Sequence, residues 1–113
     1  DHMHLLKNTT FLIASLFAAG HAWSGTQTGI VESVSSRDDG LVWVILVGAP
    51  ENRPACAQNQ VYFIVKDETS EIGKIQISML LSAWGAGKEI TIEGTGTCTR
   101  WGDGEDISVI RLQ

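Results

Sequence analysis

The chain has 113 residues, 43% of them hydrophobic, with a mean hydropathy of +0.07, which is enough apolar content for a folded core and too much for a disordered segment. Its 13 Asp and Glu against 8 Lys and Arg give a net charge of -5, a balance that repels phosphate backbones and argues against nucleic acid as a partner. All 3 histidines (His2, His4, His21) fall before Trp23, so from Trp23 onward histidine-based triads and Cys/His zinc sites are excluded.

The first 22 residues have the layout of a secretory signal: Lys7 as the basic start, Phe11 to Ala19 as the apolar stretch, and Gly20-His21-Ala22 as a small-x-small site. The expectation is cleavage before Trp23, with Met3 as the native start and Asp1 and His2 as additions ahead of it. The apolar stretch is far shorter than the roughly 20 residues of a bilayer span, so no membrane span is expected. Residues 23–113 are expected to form one exported domain, periplasmic or secreted, with Cys56 and Cys98 joined in a disulfide.

Thr28 to Ser36 reads as a strand with Ile30 and Val34 on one face and a bulge near Val31. Asp39-Gly40 marks a tight hairpin. Leu41 to Val47 (LVWVILV) is a continuous β-branched and aromatic run, expected to be buried on both faces with Trp43 in the core. Pro50 and Pro54 make Gly48 to Asn59 a loop that carries Cys56, and Val61 to Val65 is a short third strand.

Thr69 or Ser70 can cap a helix, and Ile72, Ile75, Met79, Leu80 and Ala83 recur at spacings of three and four that predict its apolar face. Gly85 and Gly87 end it, with Trp84 placed to close the barrel bottom or a subunit interface. Glu89 to Glu93 alternates cleanly and predicts a half-solvated strand, Thr99 to Asp106 a turn-rich acidic loop, and Ile107 to Leu112 a last strand. The order β-β-β-α-β-β is that of a mainly β, five-stranded OB-like Greek-key barrel with its one helix between strands three and four.

The string from Ser78 to Ile92 (SMLLSAWGAGKEITI), followed by Cys98, a glycine-rich loop and a final apolar strand, resembles the second half of bacterial toxin B subunits of the Shiga-like OB type. It is also similar to a group of small exported bacterial proteins that end in a tryptophan-glycine loop. The resemblance implies an OB fold, export, and a ring of identical subunits that binds cell-surface glycans. It implies no individual site residue.

Residue by residue, a catalytic reading would need Glu105 or Asp106 beside Asp38 or Asp39 as a carboxylate pair for glycoside chemistry. The competing reading makes these solvated turn acids, and the expectation is a domain that is not an enzyme and holds no cofactor. Asp103, Glu105 and Asp106 could offer oxygens to calcium, but without the twelve-residue EF-hand pattern no metal is expected. Trp101, with Arg100, Asp103 and Glu105 beside it, is the candidate ligand surface, a ring presented to a sugar with polar groups for its hydroxyls. The expected function is a binding module, glycan-directed and homo-oligomeric. The alternative is a periplasmic structural or protein-interaction domain with no small-molecule site.

Overall fold

The computed structural model describes residues 23–113; the signal sequence read into residues 1–22 lies outside the described residues. Five strands, β1 (Thr26–Ser36), β2 (Val42–Leu46), β3 (Tyr62–Ile64), β4 (Glu89–Gly94) and β5 (Glu105–Leu112), close a barrel in the order β1-β2-β3-β5-β4. Helix α1 (Glu71–Ala86) lies between β3 and β4, and a single 3-10 turn spans Ala55–Ala57. This is the expected OB-like architecture, with Cys56 and Cys98 in a disulfide.

Strand β1 is long enough to serve two neighbours: its first half pairs with β4 and its second half with β2, and the register shifts between Val31 and Ser33. That shift is the bulge expected near Val31, and it lets one strand turn the barrel's corner. It also splits the expected pair, because Val31 and Val34 turn toward the core while Ile30 is exposed. The β1–β2 hairpin closes with Gly40 N–H on the Arg37 carbonyl and Arg37 N–H on the Leu41 carbonyl. Gly40 sits at φ +93°, the left-handed region that the Asp-Gly signal predicts.

The run LVWVILV is not buried on both faces. Strand β2 alternates, with Val42, Val44 and Leu46 inside and Trp43 and Ile45 half-covered outside. A barrel wall is a single layer, so one face of each strand meets the core and the other meets whatever loops cross it. Val44, Leu46, Phe63, Val65, Ile90 and Ile92 fill the interior with Leu80 and Ala83 of α1 beneath them.

Helix α1 is capped as its sequence predicts: Ser70 Oγ accepts from the Gly73 amide, and Gly87 ends it at φ +63°. Its buried face keeps the expected Leu80 and Ala83 but differs in the first turns. Gly73, Gln76, Leu80 and Ala83 face the barrel, whereas Ile72 and Ile75 are exposed. The reason is close approach at Gly73, where a Cβ would stand 1.8 Å from the Asp67 carbonyl oxygen, so only glycine lets the first turn lie on that backbone. Trp84 is exposed at the far end of the helix.

Strand β5 begins at Glu105, two residues before the expected start, and Glu105 and Asp106 are fully buried. They are not solvated turn acids. Glu105 accepts from the amides of Gly25 at 2.8 Å and Gly96 at 2.9 Å, and faces Arg53 across 3.5 Å. Each amide hydrogen bond to a charged acceptor contributes about 1.5–3 kcal/mol, which offsets the cost of taking the carboxylate out of water. Arg53 covers the Phe63 ring and donates to the carbonyls of Gln60 and Tyr62, so it holds the β2–β3 loop against β3. Burial pulls its pKa down while Glu105 opposes that shift.

Candidate functional site: an aromatic groove on strands two and three

The outward alternation of β2 and β3 puts Trp43 next to Ile64 in register, with Tyr62 opposite Ile45. The β1–β2 hairpin brings Arg37 and Leu41 to one end of this strip, and the β4–β5 loop brings Trp101 over it. Together Arg37, Leu41, Trp43, Tyr62, Ile64 and Trp101 line an open hollow of about 210 Å³. The hollow is small beside the 300–1,000 Å³ of drug-sized pockets, and suits one ring seated on the aromatic faces.

Four sets of contacts hold Trp101 in place. At the base of its loop, Asp106 takes hydrogen bonds from the hydroxyls of Thr97 and Thr99 and from the amides of Thr99 and Arg100. At the tip, Asp103 accepts from the Tyr62 hydroxyl at 2.6 Å and from Gln60 Nε2 at 2.8 Å. On the flank, Arg100 forks onto Glu68 at 3.1 and 3.2 Å and reaches the Asp39 carbonyl, which ties the loop to the hairpin. The disulfide adds the β2–β3 loop as a further anchor. A side chain so surrounded is pre-organised, and ligand binding there avoids much of the ordering cost that a free loop would carry.

The electrostatics follow from these pairs. Hydrogen bonds from Arg100 hold the Glu68 carboxyl below the usual carboxylate range. Hydrogen bonds from Arg37 and the Leu41 amide do the same to Asp39. Burial, then the bond to Asp103, raises the Tyr62 phenol. Arg37 makes a two-pronged contact with Asp39 while its guanidinium lies 4.6 Å from the centroid of the Trp101 ring.

Of the residues singled out in the sequence, Trp101 is 39% exposed and lines the hollow. Arg100 and Asp103 sit beside it, but as the struts that position its loop. Glu105 is absent from this surface: it is fully enclosed at the barrel's end, and a Cβ at Gly94 or Gly25 would strike its carboxylate. The pairing of Glu105 or Asp106 with Asp38 or Asp39 as open carboxylates is likewise overturned by the burial of both β5 acids. Asp103, Glu105 and Asp106 do not converge either, since each answers to different donors, and no cluster of metal-ligating side chains occurs among the described residues.

Sequence reasoning missed Trp43, Tyr62 and Arg37. The signal for Trp43 was present: if the LVWVILV run alternates at all, Trp43 must oppose Val42 and Val44 and face out. Tyr62 and Arg37 carry no comparable signal, because only strand pairing and the hairpin's return bring them within reach of Trp101.

Comparison with known proteins finds no matching family, no matching curated protein and no matching solved structure.

Proposed function

We propose that the domain is an exported binding module, not an enzyme, whose aromatic groove seats a sugar ring. The observation that carries this reading is the placement of Trp43, Tyr62 and Trp101 around one open hollow on the outward face of β2 and β3, flanked by the β1–β2 and β4–β5 loops. OB barrels use this face and these loops for oligosaccharides and oligonucleotides. Flat aromatic faces offer the weakly polar C–H face of a sugar a contact that excludes water, while the Asp103 carboxylate, bonded to the groove's Tyr62, can accept from hydroxyls.

Charge separates the two ligand classes. A strand of nucleic acid needs a cationic track for its phosphates. Here the groove's Arg37 and the neighbouring Arg100 are already committed, to Asp39 and to Glu68, on a chain of net charge -5. A neutral, hydroxyl-rich ligand has no such conflict. The disulfide fits the oxidising compartment that export implies. The toxin-like resemblance agrees with this function and adds a homo-oligomeric ring.

The test is a glycan array followed by titration calorimetry on the wild-type protein and on Trp101→Ala and Trp43→Ala. The expected result is saccharide binding that each substitution weakens by about tenfold or more, equivalent to about 1.4 kcal/mol, with the thermal midpoint little changed. Undiminished binding by a folded Trp101→Ala protein would falsify the reading. One observation favours a protein-interaction role instead, the exposure of Ile72 and Ile75 on α1. A pull-down that depends on those two residues while the array stays blank would decide for it.

A further inference from the structure

We propose that Trp101 is a partition between two neighbouring subsites, so that the ligand is a chain of at least two linked sugar rings that crosses the Trp101 edge. This rests on the groove being a saccharide site and specifies what kind of saccharide it takes.

Trp101 borders two hollows. One is the aromatic groove already described; the other, a shallow, wide-open depression of about 310 Å³, is lined by Trp101, Gly102 and Asp103. The same residue therefore borders both. The Arg37 guanidinium lies over the Trp101 ring, and the second hollow opens beside Asp103. Each Asp103 oxygen already accepts one hydrogen bond, from Tyr62 or from Gln60, and a carboxylate has room for about four. Acceptor capacity thus remains where a second ring would bring hydroxyls.

Gly102 is the residue between Trp101 and Asp103 in the lining of the second hollow. Backbone geometry does not demand glycine there, since Gly102 is not among the positive-φ residues, and packing does not demand it, since a Cβ would meet nothing within 4 Å. Gly94 and Gly104 contrast with it: an added Cβ would fall 2.1 Å from Glu105 and 2.4 Å from Ile64. A side chain at Gly102 would project into the open space of the second hollow. A monosaccharide would fill one hollow and leave the other idle, whereas a linked pair uses both.

The experiment measures affinity against chain length, using glucose, cellobiose and cellotriose, and in parallel N-acetylglucosamine and mannose with their β-1,4-linked dimers and trimers. Gly102→Leu serves as the variant that fills the second hollow, and Gly102→Ala as its control, both checked for an unchanged thermal midpoint. The expected result is a gain of about tenfold or more from one ring to two in at least one series, abolished by Gly102→Leu and kept by Gly102→Ala. Equal affinity for one ring and two, or a dimer preference untouched by Gly102→Leu, overturns the two-subsite arrangement while leaving the groove as a single-ring site. Absence of binding by every sugar of every length overturns the saccharide reading itself, and this inference falls with it.

Discussion

Tyr62 donates its phenolic hydrogen to Asp103 at 2.6 Å, joining strand β3 to the tip of the β4–β5 loop across 41 positions of sequence. The phenol is thereby stabilised in its neutral form, by burial first and by the carboxylate next, and its pKa lies above the ordinary value of about 10. A raised folded pKa contributes stability that is complete below the unfolded value and drains away as pH climbs through the folded one. Tyr62 is the only tyrosine of the chain, so the phenolate absorbance reports it alone. Asp103→Asn should lower the titration midpoint part of the way, because burial remains. A midpoint that does not move would show that the bond is not formed in solution.

Asp106 is the anchor on which the whole loop turns, and Asp106→Asn puts an amide donor among groups that are themselves donors. The expected loss is about 3 kcal/mol of unfolding free energy, as for a buried charged acceptor whose partners are left unpaired. Urea unfolding measures it, and calorimetry should show groove binding weakened even in conditions where the variant is fully folded. A change under about 1 kcal/mol would mean that the loop finds other acceptors.

Two glycine substitutions should part company. Gly94→Ala forces a methyl against the enclosed Glu105 carboxylate and is expected to cost about 2 kcal/mol or more, in the range of overpacked interiors. Gly102→Ala meets nothing and should stay within about 0.5 kcal/mol of wild type. Thermal melts side by side suffice, and similar midpoints for the two variants would count against the tight seat described for Glu105.

Reduction of Cys56–Cys98 opens a connection between residues 42 apart in sequence, and the chain-entropy estimate for such a loop is about 4 kcal/mol. Urea curves with and without a reductant should be separated accordingly. Coincident curves would place the covalent link among contacts that hold equally well without it.

The barrel was readable in the sequence wherever local rules decide structure. Asp39-Gly40 announces the hairpin, Glu89 to Glu93 alternates with Ile90 and Ile92 inside, and Ser70 and Gly87 bracket the helix. The failures come from contacts that no spacing rule carries, some of them distant in the chain and some close by. Glu105 looks like a turn acid until Gly25, 80 positions earlier, offers its amide. Ile72 and Ile75 look like the helix's inner face until the Asp67 backbone selects Gly73 instead. Trp101 could be picked out as an exposed ring between Arg100 and Gly102, but the floor beneath it comes from β2 and β3, and no spacing rule assembles those.

The join between β3 and β5 is the thinnest in the wall, with only Phe63 opposite Glu105 and Ile64 opposite Asp106 in parallel register. Its outer side is bridged by the Tyr62–Asp103 bond, and Tyr62 and Ile64 beside it share the groove with Trp101. Such a short seam unzips more readily than the long β1–β4 and β4–β5 ladders, so amide protons along it should exchange with solvent ahead of the rest of the barrel. A ligand lying across the ring would act as a staple over that slit, and its presence should be visible as slowed deuterium uptake on both lips at once.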